Sequence, residues 1–158
     1  MKNTFKRSGA ALISLVLLLV LAVSAGAASS QNVGVKFWKE RSDKESMANS
    51  GIDPDRTATL TRQANGTYTL TLPVMQVSKL GVTGYLSGLT IGDVTYDGTL
   101  TGDFNKATAV LTIKNLPAPV LTGSDVNKSV LVTCNIQMDL QVLGEINTSA
   151  RMCIWNQK

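Results

Sequence analysis

The stretch RTATLTRQANGTYTLTLPVM, residues 56–75, decides the fold. Threonine, leucine and tyrosine alternate with polar residues on both sides of Asn65-Gly66. Alternation with period two places one set of side chains on each face of a strand. Asn-Gly between two such runs is a strong hairpin signal, because both turn positions of the tightest hairpin require positive φ. The stretch therefore predicts two antiparallel strands joined by a two-residue turn.

The same grammar repeats outward. NVGVKFWKE (32–40) sets Val33, Val35 and Phe37 on one side of a first strand, with Trp38 on the other. TGYLSGLTIGDVTY (83–96) reads as one strand or two short ones, and TLTGDFNKATAVLTIKN (99–115) as a hairpin turning near Asn105-Lys106. SVLVTCNIQMDLQV (129–142) is the longest alternating run, and INTSARMCIW (146–155) is the last. About eight strands with no helix longer than a turn imply an antiparallel sandwich or a Greek-key barrel. Parity puts Val130, Val132, Cys134, Ile136, Met138 and Leu140 inward. It also puts Met152 and Ile154 inward and Cys153 outward, with Arg151 and Trp155. Cysteines on opposite faces of neighbouring strands cannot bridge without a bulge, and Gly144 leaves a slipped register open, so a disulfide and two free thiols both stand as readings.

Residues 1–27 read as an export signal. Lys2, Lys6 and Arg7 precede the apolar run AALISLVLLLVLAV (10–23), and Ala25 and Ala27 occupy the small positions of a cleavage site. The run is short for a membrane span. A single domain over 28–158, secreted or held at the cell surface, is expected. The formal net charge of +4 rests mostly on the signal, since without it 12 basic face 11 acidic side chains. That removes the electrostatic case for a nucleic-acid or membrane partner. The chain has no histidine, which excludes histidine-based triads and most zinc sites. It also shows no nucleophile elbow, no phosphate-cradling glycine loop and no close carboxylate pair in an apolar setting, so it reads as a non-enzyme. Asp53, Asp55, Asp93 and Asp97 beside Pro54 and Gly98 are ordinary turn residues.

One segment breaks the strand grammar. KESMANSG (44–51) is short, polar and small, yet carries Met47 directly after Ser46. It follows the aromatic-bearing strand VKFWKERSDKESMAN and precedes TATLTRQANGTYTLTL. In this order the pieces resemble the NEAT family, the haem-binding immunoglobulin-like domains of Gram-positive bacteria. The resemblance is clearest over residues 33–91 and looser over 92–155. It implies an all-β immunoglobulin-like sandwich with a short 3₁₀ segment near 44–51 at the mouth of an apolar pocket. It also implies that haem b lies between that segment and the last hairpin, with Ser46 on a propionate and Met47 on the porphyrin face or the iron. Tyr85 then lines the pocket, and Lys44 and Lys79 are candidate propionate partners. A methionine suits such a place, being a flexible, polarisable cover for a flat apolar ligand.

The sequence departs from the family at the usual ligand. The family's Y-x-x-x-Y pair has no counterpart, because no tyrosine follows Tyr96, and LGEINTSARMCIW offers Glu145 and Ser149 at about those places. Some relatives use two methionines instead. Here Met47 is the first candidate, and Met138 or Met152 the second. Each of the last two also reads as core filler within its strand. The resemblance thus implies an exported haem or porphyrin carrier in bacterial iron acquisition, partnered by haem and by other haem-relay or host haem proteins. The alternative is a protein- or glycan-binding immunoglobulin-like module without the haem site, using exposed aromatics such as Trp38 or Trp155.

Overall fold

The computed structural model describes residues 28–79, 81–138 and 145–157. The proposed signal and Leu140 lie outside the described residues. Nine strands follow in chain order: β1 (Ser29–Lys39), β2 (Ala58–Arg62), β3 (Tyr68–Pro73), β4 (Val77–Lys79), β5 (Val82–Ile91), β6 (Val94–Thr101), β7 (Val110–Leu116), β8 (Val130–Met138) and β9 (Glu145–Asn156). A 3₁₀ turn, Met47–Gly51, stands between β1 and β2. Among the described residues no helix is long and apolar enough to cross a membrane.

All nine strands are antiparallel neighbours in the order β4-β5-β6-β7-β3-β2-β1-β9-β8. A further pairing of β5 with β8 joins the two ends, so the sheet closes on itself like a barrel. Closure depends on both edges of β5. Residues 84–90 pair with β8, while β4 and β6 take successive parts of the opposite edge, at 82–84 and 88–91. A bulge between Leu86 and Gly88 adds one residue to β5. Two residues then span one ladder position, so Leu86 and Leu89 both stay on the inner face, where both are buried. Ser87, at the bulge, donates its hydroxyl to the Asn135 carbonyl at 3.0 Å.

The interior is one cluster drawn from β1, β2, β3, β5, β7, β8 and β9, with Tyr96 and Leu100 of β6 packed against it. Phe37, Leu60, Leu70, Leu72, Leu89, Leu111, Ile113, Leu116, Met152 and Ile154 are fully buried in it. The alternation read in the sequence is what places them there. The 56–75 hairpin forms as expected, with Leu60 opposite Leu70. Its turn differs from the two-residue form. Gly66 carries φ +83° while Asn65 is not left-handed, and Gln63 N donates to Thr67 O across the wider loop. This is a turn closed by one left-handed residue, for which only the glycine is needed. The run at 83–96 divides at Gly92 into β5 and the start of β6, and β6 continues into the first arm of the expected 99–115 hairpin. The strand beyond the expected eight is β4, Val77–Lys79.

Both cysteines are free and buried. Cys134 belongs to the core cluster. Cys153 points to the other face, as parity requires, but is not exposed. The 3₁₀ turn Val126–Lys128 and its approach cover it, with Cys153 Sγ 3.6 Å from the Asp125 carbonyl. Burial pushes the Cys134 thiol from 9.0 up to about 12. The folded protein is therefore expected to take up no iodoacetamide at pH 8.5, whereas the denatured chain takes up two adducts by intact mass. The same shift gives stability an alkaline limb. The raised folded value favours the folded state fully below about 9, and that contribution is lost as pH rises towards 12.

Candidate functional site

The site is built where β1 loses its neighbour. β2 pairs with β1 only through Ser29–Val33, leaving the same edge of residues 34–39 open. The 44–51 segment fills it. Ser46 N donates to Phe37 O at 2.9 Å, and Lys39 N donates to Lys44 O at 2.8 Å. The Asn49 carboxamide completes the edge. Its Oδ1 accepts from Phe37 N at 2.8 Å, and its Nδ2 donates to Phe37 O at 2.7 Å and to Ser46 O at 3.2 Å. One side chain thus stands in for a peptide group of an adjacent strand. On the far side Arg151 of β9 holds the approach to the turn. It donates to the carbonyls of Lys39 and Ser42 at 3.1 and 2.9 Å and to Asp43 Oδ1 at 2.7 Å.

Ser46 caps the turn. Its hydroxyl oxygen accepts from Ala48 N at 3.3 Å, the usual work of a serine at this position. Capping uses a lone pair and leaves the O–H available to donate. Ser46 is buried, whereas the adjacent Met47 is 55% exposed. The turn therefore hides its polar base and presents a thioether.

Beneath Met47 opens a cavity of about 400 Å³. Ala48 and Gly51 of the turn, Val77 of β4, Val82 and Leu86 of β5, Ile136 and Met138 of β8 and Ile146 of β9 make its lining predominantly apolar. Polar groups are few: Ser46 of the turn, Thr148 and Ser149 of β9, and Lys39 with Glu40 where the loop leaves β1. A concave apolar cleft of this size with a small polar margin is the ordinary form of a small-molecule site. Gly84 makes room for its floor. A Cβ at that position would meet Met138 Sδ at 2.7 Å and the Gln137 carbonyl at 2.9 Å.

The structure brings Ser46, Met47, Tyr85 and Met138 to this one cleft. Tyr85 borders it, while its ring packs on Phe104 with centroids 5.3 Å apart at 45°. Met152 is not brought there. It pairs with Phe37 across β1 and β9 and is fully buried in the core, which corrects its candidacy as a cleft residue. Lys44 is exposed and is not part of the lining, which takes its cation from Lys39 instead. Of the two residues at the missing tyrosine positions, Ser149 lines the cleft and Glu145 does not. Trp38 is half-buried rather than freely exposed, with Lys36 Nζ 4.6 Å from its ring centre. Lys39, Ile146 and Asn49 are the residues sequence reasoning missed. Lys39 and Ile146 alternate into place on strands already recognised, and Asn49 sits three positions after the capping serine, where a side chain can turn back onto it.

These features define a barrel-like β module with one apolar cleft guarded by a capped turn. No protein-family model matches the chain, and no curated protein matches it. Among solved structures it is similar to the NEAT5 domain of IsdX2, a B. anthracis hemophore, in complex with haem. It is equally similar to a point mutant of that domain, also in complex with haem. In each comparison the TM-score is 0.53 at 10% identity, over 83% of this chain and 98% of the other. The chain thus has a NEAT-like fold, an all-β antiparallel arrangement of the immunoglobulin-like kind.

Replacing Gly84 by alanine tests the floor of the cleft. The clash with the Gln137 carbonyl is with backbone, which cannot swing away, so Gly84→Ala is expected to cost about 1–3 kcal/mol. Urea unfolding of the variant beside the wild type measures it.

Proposed function

We propose that this chain is an exported, non-enzymatic haem- or porphyrin-binding protein that carries or relays haem in iron acquisition. The observation that carries the reading is the apolar cleft under the Met47 turn, set in a NEAT-like fold. The residues present suit a tetrapyrrole. An amphipathic ring can bury its apolar body against Val77, Val82, Leu86, Ile136 and Ile146 and leave its carboxylates at the mouth. There Lys39 supplies a positive charge, and the Ser46 hydroxyl, already fixed by the cap, supplies a donor. Apolar burial provides the main attraction at about 25 cal/mol per Å², offset by the cost of association.

Met47 and Met138 are the proposed iron-facing residues. They belong to different elements, the turn and β8, and share one cavity. Bound haem iron takes axial ligands, and thioethers are among those known to raise its reduction potential. Met152 is left out of the proposal because it is buried in the core. Export through residues 1–27 and relay to other haem proteins complete the proposal.

The test is a titration of residues 28–158 with haem, followed by visible absorption in both oxidation states. The wild type is expected to show a saturable one-to-one Soret shift. Met47→Ala and Met138→Ala should each weaken binding by about tenfold or more, since a buried methionine side chain is worth roughly 1.5–3 kcal/mol. Met75→Ala, whose side chain lies outside the cleft, should leave affinity unchanged. A non-saturating wild-type response, like that of free haem, overturns the reading.

A further inference from the structure

We infer that Asn49 is the positioning residue of the cleft. Its carboxamide holds the Ser46–Met47 turn in its ligand-ready shape before anything binds. The inference rests on the haem-binding reading but concerns a residue that lies outside the cleft lining.

Phe37 and Met152 are register partners on β1 and β9, yet the N–H and C=O of Phe37 both turn to the opposite edge. β2 has already left that edge. Phe37 itself is fully buried, so its peptide groups need partners from the protein. The Asn49 carboxamide presents one acceptor and one donor with the spacing of a peptide group: it accepts from the Phe37 N–H at 2.8 Å and donates to the Phe37 carbonyl at 2.7 Å, which also takes the Ser46 N–H at 2.9 Å. Its second N–H reaches Ser46 O at 3.2 Å, and its backbone N–H reaches the same oxygen at 3.2 Å. Asn49 therefore ties the capping serine to the strand it must lie against. Met47 is carried between Ser46 and Asn49, so the clamp fixes both ends of the short segment that bears it.

No other side chain of that size does this. Aspartate has the same shape but no donor when ionised, and its charge would face the carbonyl oxygens of Phe37 and Ser46. Burial beside two acceptors raises such a carboxyl's pKa. Once protonated, it regains one donor. The Asn49→Asp variant thus carries a switchable version of the clamp.

Haem affinity of Asn49→Asp and of the wild type is measured on residues 28–158 from pH 5 to 8, and the ratio is taken at each pH. Lys36, Lys39, Glu145 and Arg151 on the adjoining strands and Glu40, Arg41, Asp43, Lys44 and Glu45 on the loop are common to both proteins, as are the propionates, so the ratio isolates residue 49. Loss of a charge-opposed hydrogen-bond pair is expected to weaken the variant about tenfold or more at pH 7.5, with recovery towards the wild type at pH 5. A ratio near one throughout, or a loss that does not change with pH, overturns the inference while the haem-binding reading stands. Failure of the wild type to bind overturns both. Amide exchange of the haem-free wild type gives a check that needs no variant. The Phe37 N–H and the Asn49 side-chain N–H groups should be strongly protected, and free exchange at Phe37 overturns the clamp.

Discussion

The structure depends on the double pairing of β5. With β8 along one edge and β4 and β6 sharing the other, β5 is the strand that closes this sheet among the described residues. Closure pairs the β8 edge that an open sheet would leave exposed, while the short β4 stays at the margin, paired with β5 alone. It also brings Met138, at the end of β8, beside Gly84 at the start of β5. Without that seam the cleft has no floor, because Val82, Leu86, Ile136 and Met138 all come from the two strands that form it. The bulge after Leu86 is the adjustment that permits it, since the ladder would otherwise turn Leu89 away from the core.

The opposite wall has a different origin. β1 runs past the end of β2, and the protein covers the resulting edge with a capped turn rather than another strand. A turn is shorter than a strand and leaves an opening beside it. The core there is incomplete by construction, and the cleft is what remains between the turn and the β5–β8 seam. Solvent exposure of Met47 follows directly, as does burial of the capping serine. A polar residue that must satisfy backbone groups is drawn inward, while a flexible apolar one is left over the opening.

Much of the fold was legible because alternation reports which face a residue takes. Val132, Cys134, Met152 and Ile154 were all assigned inward by that rule and all are buried. The rule was blind to what covers a face from outside. Cys153 does point away from the core, but the 125–128 segment packs over it, and no local pattern announces such a cover. Alternation was equally blind to depth. Met138 and Met152 have the same parity on adjacent strands, yet one lies at the end of its strand in the cleft and the other in the middle of the barrel. The Asn65-Gly66 pair located a hairpin correctly but not its loop length, because one left-handed glycine suffices for the wider turn. The Asn49 clamp was illegible for a further reason. Its partner, Phe37, lies twelve residues away, and the need it meets arises only because β2 ends early.

The same reasoning bears on the missing tyrosine pair. A ligand supplied by the last hairpin requires side chains that point from β9 into the cleft, and here those places hold Ile146, Thr148 and Ser149. The exchange makes that wall less able to hold a ferric iron through a charged oxygen and more able to bury a ring. Tyr85 borders the cleft from β5, with its ring packed on Phe104. Met47 and Met138, the soft donors proposed for the site, stand on the two elements that create the cleft, the turn and the seam strand. Affinity in such a site is governed by how firmly those two elements are held, more than by any single strong bond to the ligand. That places the weight on the hydrogen bonds beneath the turn and on the closure of the sheet, neither of which touches the ligand itself.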